Sequence, residues 1–207
     1  MHFNTAKNES NNFDVEAVFK VGSALNQFDY PSNIFDIVMA LGVFQHIEND
    51  KDVFSLMKKY LAKNGLMIIS LRNPLFAFST FNNPSYEFYK ELFKEFLASE
   101  DKDILDTFLK DVFDLSQPPK RKGKVINPGI DDLIYKYHNP FTIHELLNQV
   151  GLKVVDMDFY RYHATPPLLS KYTPKIFNKI SLQLDDQKND WRSRFLCSTY
   201  ILYCTHS

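Results

Sequence analysis

Two spacings of apolar residues alternate along the first third of the chain, and they predict different elements. Residues 35–41 form an apolar run with one charge, Asp36, near its start, which is typical of a parallel strand buried on both faces. Residues 48–50 then supply helix N-cap candidates, and apolar side chains follow at helical spacing through Leu61. A second apolar run, residues 66–71, predicts another buried strand.

The helix between these two strands has recognisable end signals. Lysines gather near its end, and the pair Asn64-Gly65 that follows them predicts a C-cap. Residues 35–71 are therefore interpreted as strand, helix and strand with short connections. Such a crossover is right-handed and joins parallel strands.

The flanking segments predict further elements. An alternating pattern over residues 14–23 predicts an earlier strand, and the residues before it are interpreted as frayed. Stretches rich in Phe and Tyr predict helices at residues 86–97 and 104–113. They are separated by acidic and proline-containing loops, and they indicate a mainly helical insertion.

The C-terminal part resumes the alternation of helix and strand. Thr142 is an N-cap candidate and Glu145 stands at the capping-box position, so a helix is predicted over residues 142–150. Strands are predicted over residues 152–160 and 195–204.

We interpret the 207 residues as a single α/β domain. Residues 14–71 form a partial Rossmann-like core, residues 72–139 the helical insertion and substrate region, and residues 140–207 a helix and a strand pair. In an open α/β sheet, ligands bind at the carboxyl ends of the strands. Candidate chemistry is therefore expected after each strand.

Composition excludes several classes of protein. The formal net charge is −1, which argues against a general attraction to nucleic acid, and no apolar run approaches the length of a membrane span. The N-terminus is polar and has no signal-peptide core. Cys197 and Cys204 lie in one predicted strand, too far apart to bridge, so reduced thiols and a cytoplasmic location are expected.

Three stretches together resemble a known family. Residues 21–47 (V-G-S-A-L-N-Q-F-D-Y-P-S-N-I-F-D-I-V-M-A-L-G-V-F-Q-H-I), residues 58–70 (K-K-Y-L-A-K-N-G-L-M-I-I-S) and residues 141–157 (F-T-I-H-E-L-L-N-Q-V-G-L-K-V-V-D-M) are similar, in order and spacing, to class I S-adenosylmethionine-dependent methyltransferases. The resemblance implies a Rossmann-like methyltransferase sheet. It also implies S-adenosylmethionine as cofactor and in-line methyl transfer to a small-molecule acceptor, of which a sugar or polysaccharide precursor is the first candidate.

The resemblance also implies roles for particular residues. The cofactor would lie beside two segments, Gly22-Ser23-Ala24 and Ala40-Leu41-Gly42-Val43. His46 is the candidate general base. The candidate acceptor contacts are Arg72, Asn73, Tyr162 and His163, and no metal site is expected because the histidines lack metal-ligand spacing.

Each of these roles has a structural alternative. Gly42 serves equally well as a plain turn after the strand. Packing or helix capping is the favoured explanation of His46, and a surface turn before Pro74 is the favoured explanation of Arg72 and Asn73. For residues 160–163 an ordinary amphipathic loop is favoured over a lid.

The chain also departs from the family pattern. None of its six glycines forms the G-x-G loop that approaches the methionine end of the cofactor. Too few residues precede Gly22 to hold a strand, a helix, a second strand and their turns. In the usual strand order, 3-2-1-4-5-7-6, the strands without a counterpart are central. The sheet is therefore expected to be N-terminally incomplete, with an open edge on the strand of residues 35–41.

Two hypotheses of different classes follow. In the first, the chain is an S-adenosylmethionine-dependent methyltransferase, impaired by an N-terminal truncation. In the second, it is a non-catalytic truncated or split fragment that needs a partner chain to complete its fold. A Rossmann-like oxidoreductase is disfavoured, because the dinucleotide-binding glycines and their acidic partner are not found.

Overall fold

The computed structural model describes residues 16–95, 98–116, 136–164, 166–167, 172, 174–185 and 190–207. Its strands are β1 (Phe35–Ala40), β2 (Leu61–Arg72), β3 (Leu152–Tyr162) and β4 (Cys197–His206). Its α-helices are α1 (Asp50–Tyr60), α2 (Asn83–Phe93), α3 (Ser99–Val112), α4 (Ile143–Gln149), α5 (Pro174–Asp185) and α6 (Ser193–Leu196). Two 3-10 helices, η1 (Phe44–His46) and η2 (Pro74–Ser79), follow β1 and β2 respectively.

The four strands form one mixed sheet in the order β1-β2-β4-β3. β1 pairs with β2 in parallel, whereas β4 pairs antiparallel with both β2 and β3. The predicted α/β class and the parallel crossover through α1 are confirmed. The order is also the one that the resemblance implies for the second half of the sheet, 4-5-7-6.

The core lies on one face of the sheet, beneath α1 and α4. Met67 and Ile69 of β2 are fully buried there and Leu71 is 1% exposed. Phe54 of α1 and Leu147 of α4 pack into the same cluster. This face is the interior of a two-layer structure, because helices cover it along most of its width.

The opposite face is much less covered within the described residues. Ile37 and Met39 of β1 point to it and are 56% and 62% exposed, and their partners on β2, Leu66 and Ile68, are only half-buried. The prediction that residues 35–41 are buried on both faces is therefore wrong. The predicted open edge is what the structure shows, since β1 pairs with β2 alone among the described strands.

The strand predicted over residues 14–23 is also wrong where the structure describes it. Residues 16–23 are irregular and mostly exposed, and residues 14 and 15 lie outside the described part. No described strand lies on the open side of β1, so an alternating pattern there finds no partner. Strand pairing depends on such a neighbour more than on the pattern itself.

The Asn64-Gly65 pair does not end the helix as predicted. α1 ends at Tyr60, and both residues lie inside β2, at an irregularity in its pairing with β1. A Cβ on Gly65 would lie 2.9 Å from the carbonyl oxygen of Asp36 and 2.7 Å from a Leu61 methyl group. Glycine is thus required by a close approach of two strands rather than by a helix end.

Two further boundaries differ from the sequence prediction. The Thr142 side chain does not cap α4. Instead, Asn139 holds the turn before this helix: its side chain accepts a hydrogen bond from the Phe141 N–H (2.9 Å) and its carbonyl one from the Ile143 N–H (3.0 Å). The last strand begins at Cys197, because residues 195–196 belong to α6.

The predicted insertion is helical where it is described. Hydroxyl groups join its first part: Ser85 Oγ bonds to Thr80 Oγ1 and accepts from the Phe81 N–H, both at 2.8 Å. Asp106 of α3 ties the two long helices together, since Tyr86 donates to it and Lys90 lies 3.3 Å away. The division of the chain into a core and an inserted region stays a prediction.

Candidate active site at the carboxyl edge of the sheet

The segment Ala40-Leu41-Gly42-Val43 leaves the sheet where β1 ends. Ala40 is buried, whereas Leu41 is 56% exposed. Gly42 has a φ of 70°, and its N–H donates to Ser70 Oγ of the neighbouring strand at 2.7 Å. Ser70 thus fixes this turn at the edge where α/β sheets bind ligands.

The conformation of Gly42 explains its identity without a ligand. A positive φ favours glycine, and a Cβ placed there would have no atom within 4 Å. The turn explanation is therefore sufficient. The same open space leaves room for a bound group, so the cofactor-facing role stays a prediction.

His46 lies at the end of η1 and is exposed. Its Nε2 lies 3.1 Å from the side-chain nitrogen of Gln45. The next helix, α1, begins four residues later at Asp50. The imidazole can reach solvent from this position, and its role as a general base stays a prediction.

The segment Gly22-Ser23-Ala24 is not brought to this edge. The ring of Phe28 lies about 3.1 Å from the place of a Gly22 Cβ, and the backbone of Phe28 bonds twice to the Tyr60 hydroxyl, at 2.9 and 2.8 Å. Tyr60 lies beside the start of β1, because its carbonyl accepts the Ile34 N–H at 3.0 Å. The two predicted cofactor segments are thus anchored at opposite ends of β1.

Arg72 closes β2 and lies against a tyrosine. Its guanidinium carbon is 5.8 Å from the centre of the Tyr137 ring, and its carbonyl accepts the His138 N–H at 3.0 Å. Partial burial raises the pKa of Tyr137, and the Arg72 charge opposes that rise. The role of Arg72 as an acceptor contact stays a prediction.

Asn73 is placed differently from both explanations offered by the sequence. It is fully buried, and its side-chain amide donates to the carbonyls of Arg194 (2.7 Å) and Cys197 (2.8 Å). Its side-chain oxygen accepts the Leu75 N–H at 3.1 Å, which caps η2. Asn73 is a structural link between the end of β2 and the start of β4, not a surface turn.

Residues 160–162 form neither a lid nor a loop, and His163 is the first residue after the strand. Tyr160 to Tyr162 are the end of β3, and Tyr162 is 4% exposed in a small core with Leu184 and Cys197. Burial raises the pKa of Tyr162. His163 lies between the rings of Phe76 (4.6 Å) and Phe177 (5.7 Å).

A buried carboxylate network was missed by sequence reasoning. Asp50 Oδ2 lies 2.9 Å from His138 Nε2 and 2.8 Å from Lys136 Nζ. Burial alone would raise the pKa of Asp50, but the hydrogen bonds from His138 and Lys136 outweigh it and lower that pKa below 3.8. Asp50 was interpreted only as a helix start and His138 only as a poor metal ligand. No local signal joins two residues 88 positions apart.

These contacts make residues 136–138 a strap across the carboxyl edge. The Lys136 N–H donates to the Gln45 carbonyl at 3.0 Å and its ammonium group to the Glu48 carbonyl at 2.7 Å. The carbonyl of His138 accepts the Tyr200 hydroxyl at 2.9 Å. The strap therefore joins the residues after β1 to the ends of β2 and β4, and it presents Tyr137 at this edge.

A groove of about 340 Å³ adjoins the strap. Its apolar walls come from η2, α2 and the strap: Pro74, Ala77, Pro84, Phe88 and Tyr137. Asn83, Glu87 and Glu91 of α2 complete the lining. The volume lies at the small end of the range of roughly 300–1,000 Å³ typical of small-molecule sites.

The residues at the edge fit one wall of a cofactor site and do not enclose it. Gly42 offers open space beside a rigid turn. The second cofactor segment, Gly22-Ser23-Ala24, is exposed and held at the other end of β1.

The described residues show neither a metal-binding cluster nor a membrane-spanning helix. They contain no group of three or more His, Cys, Asp or Glu side chains arranged to hold a metal ion. No helix in the same part of the chain combines the length and apolar character needed to cross a bilayer.

Comparison with solved structures shows the fold. A candidate S-adenosylmethionine-dependent methyltransferase from Listeria monocytogenes matches with a TM-score of 0.50 and 10% identity, over 99% of this chain and 77% of that one. An S-adenosylmethionine-dependent methyltransferase from Thermotoga maritima matches at 0.43 with 9% identity, over 90% of this chain and 62% of that chain. Magnesium protoporphyrin IX methyltransferase from Synechocystis, with bound S-adenosylhomocysteine, matches at 0.47 with 10% identity, over 99% and 59%.

The chain thus spans about three fifths of the length of the last two proteins. No curated protein matches it. Its sequence matches the family described as "Methyltransferase domain" over residues 3–115, more than half of its length. With this match and the strand order of the sheet, the chain belongs to the class I S-adenosylmethionine-dependent methyltransferases, whose cofactor is S-adenosylmethionine.

Proposed function

We propose that the chain forms the acceptor side and one cofactor wall of an enzyme that transfers a methyl group from S-adenosylmethionine to a small-molecule acceptor. One observation carries this proposal: two site elements meet at one edge of the sheet. Gly42 is bonded to Ser70 on β2. That strand ends at Arg72, whose carbonyl bonds to His138 and whose guanidinium contacts Tyr137. Both of these residues belong to the strap beside the groove.

The roles of the residues follow from their positions. Ala40, Leu41, Gly42 and Val43 form the cofactor wall, and His46 is the exposed base beside it. Arg72 faces the acceptor side through its contact with Tyr137. Much of the acceleration in such a reaction comes from holding two reactants in line. A strap that ties the cofactor wall to the groove serves that purpose.

A second function is favoured by a specific observation, namely the exposed surface of β1. Ile37, Met39 and Leu41 are each more than half exposed, along an edge with no described neighbour strand. Exposed apolar edges pair readily with other strands. In this case the chain is a fragment that becomes active only when a partner segment adds a strand beside β1, helices over the bare face and the second cofactor wall.

The two functions are separated by titration of the purified chain with S-adenosylhomocysteine. We expect no binding in the micromolar range by calorimetry, because one wall gives few contacts. At millimolar concentrations we expect shifts of backbone amide resonances at Gly42 and Val43 but not at Gly22. Micromolar binding would show that the chain holds the cofactor without a partner segment, and the absence of any shift at Gly42 would refute the proposed cofactor wall.

Two sequence predictions concern the location of the chain and the nature of its acceptor. Cys197 and Cys204 are buried and form no disulfide. The cytoplasmic location expected from the sequence stays a prediction. The sugar acceptor implied by the resemblance is also untested, and the lining of the groove favours a different chemistry.

A further inference from the structure

We propose that the groove between η2, α2 and the strap is the acceptor subsite. Its ligand would be a small molecule that combines a cationic amine with an apolar group about the size of an aromatic ring. The inference rests on the proposed function for the source of the methyl group. It concerns only what the groove binds, and it can be tested without the cofactor.

The apolar part of the ligand is indicated by the walls. Five of the eight lining residues are apolar or aromatic, including the rings of Phe88 and Tyr137. Phe88 is held in place by Phe78, whose ring centre lies 6.4 Å away at an interplanar angle of 85°. Tyr137 is held by the strap, with its backbone neighbours bonded to Gln45 and Arg72. Two fixed rings in a groove of this size suit a flat apolar group.

The positive charge of the ligand is indicated by the polar lining. Glu87 and Glu91 are separated by one helical turn of α2, so both carboxylates lie on the face that forms the groove. None of the described residues that line the groove carries a positive charge. Arg72 lies near the strap side, with its guanidinium carbon 5.8 Å from the centre of the Tyr137 ring, but it is not part of the lining. A cation in the groove would relieve the repulsion between these two carboxylates and lie near the face of an aromatic ring.

The nearby basic residues of α2 do not cancel this charge. Lys90 is directed to Asp106 (3.3 Å) and to the Tyr86 hydroxyl (3.1 Å). Lys94 lies 3.4 Å from Glu91, but both side chains are more than 60% exposed, and such pairs are weak. Glu87 also borders a second groove, which Lys90, Lys94 and Lys102 help to line. It nevertheless has no ion pair or side-chain hydrogen bond among the described residues, so it is the carboxylate that we assign to the ligand.

The strap connects the groove to the side of the sheet edge where the methyl donor is proposed to bind. Tyr137 is both a wall of the groove and the middle residue of the strap, whose first residue bonds to the η1 residue Gln45. An amine held by Glu87 and stacked on Tyr137 would therefore lie on the side of the sheet edge that carries His46. Only the neutral amine is nucleophilic, so the ammonium group must first give up a proton, for which His46 is the proposed acceptor.

The test uses three probes of similar shape and different charge: 2-phenylethylamine, 2-phenylethanol and 3-phenylpropionate. Each is titrated into the whole chain without cofactor, and binding is followed by the side-chain resonances of Phe88 and Tyr137. We expect the amine to bind best, the alcohol more weakly and the carboxylate least. All three affinities are expected in the weak, roughly millimolar range.

The matched variants are Glu87→Gln and Glu145→Gln. Both remove one exposed carboxylate from a helix, but Glu145 lies on α4, outside the groove. We expect Glu87→Gln to weaken amine binding about two- to fivefold and to leave alcohol binding unchanged. Glu145→Gln should change neither. Thermal unfolding of each variant confirms that the fold is retained.

Three outcomes would overturn the proposal: equal binding of amine and alcohol, preferred binding of the carboxylate, or no shift at Phe88 and Tyr137 with any probe. A loss of amine affinity in both variants would also do so, because it would show a non-specific charge effect. None of these results depends on the cofactor wall. Conversely, a failure of S-adenosylhomocysteine to shift Gly42 would leave the result for the groove intact.

Discussion

Similar apolar side chains of the neighbouring strands β1 and β2 lie in opposite environments. Each carries alternate large apolar residues, but Met67 and Ile69 of β2 are fully buried whereas Ile37 and Met39 of β1 are 56% and 62% exposed. The pattern of apolar residues in a strand indicates what it can bury. The neighbouring strands and helices determine what it does bury.

The difference has a simple structural origin. β2 lies between β1 and β4, and its buried residues face the cluster formed with α1 and α4. The exposed residues of β1 face the other side of the sheet, at the edge. One strand is therefore a core element of the described structure. The other carries a surface suited to a further segment.

The largest effect should come from one substitution made on both strands. Ile69→Ala removes three buried carbons and should lower the free energy of unfolding by about 2–5 kcal/mol, since it leaves a cavity. Ile37→Ala should lower it by less than about 1 kcal/mol, because that side chain is already in water. Urea denaturation measures both, and equal losses would contradict the contrast between the strands.

The buried network offers the next largest effect and a pH signature. Asp50→Asn should lower the free energy of unfolding by about 2–3 kcal/mol at pH 7, because Lys136 and His138 lose a charged partner. The pKa of Asp50 in the folded protein is lowered below 3.8. The stabilisation that its carboxylate provides is therefore fully present well above that pH. It is lost as the pH falls through the folded pKa. The difference between the two proteins should therefore shrink in acid.

Asp52→Asn is the control for that experiment. Asp52 lies in the same first turn of α1 but is exposed, and its partner is Asn49 at 2.6 Å. We expect a loss below about 1 kcal/mol. A loss equal to that of Asp50→Asn would assign the effect to the helix end rather than to the network.

Gly42→Ala should have a smaller effect on the free energy of unfolding. It tests whether the backbone conformation or the cofactor requires glycine at this position. Its φ of 70° disfavours alanine, so we expect a loss of about 1 kcal/mol in the free energy of unfolding. Gly42→Asn should cost less, because asparagine tolerates this conformation. If both variants keep the weak shifts that S-adenosylhomocysteine causes at Val43, the turn alone explains the glycine.

The smallest change in the free energy of unfolding is expected from a substitution on β1, the open edge of the sheet. Met39→Lys should change the free energy of unfolding by less than about 0.5 kcal/mol, yet reduce self-association of the chain, because an edge lysine opposes strand pairing. Val155→Lys, at an exposed position on the other outer strand, is the control and should not alter self-association. Sedimentation velocity distinguishes these outcomes.

Much of the fold could be predicted from local spacing. The parallel unit of β1, α1 and β2 depends on apolar periodicity and short connections, and both are visible in the sequence. Residues 14–23 show where local spacing is insufficient, because a segment of alternating apolar and polar residues does not form a strand without a neighbouring strand. Gly65 shows the same limit, since its close approach to Asp36 belongs to a strand pair.

The candidate site was less accessible to sequence reasoning. Gly42 and Arg72 follow strands and were found for that reason. Asn73, chosen by the same rule, is an internal link to residues 121 and 124 positions away. Tyr162 is buried at the end of β3 and His163, the next residue, lies against the Phe76 ring, so their role as acceptor contacts stays a prediction. The groove was missed because its walls come from three separate segments.

The sequence by itself determined the α/β class, the parallel crossover and the family, because these depend on periodicity and on the order of short motifs. Only the tertiary structure decided which apolar residues are buried, which predicted site residues meet, and that Asp50 is joined to His138. The physical reason is the range of the interactions. Helix and strand spacing is set over a few residues, whereas burial and buried hydrogen bonds arise between segments that folding brings together.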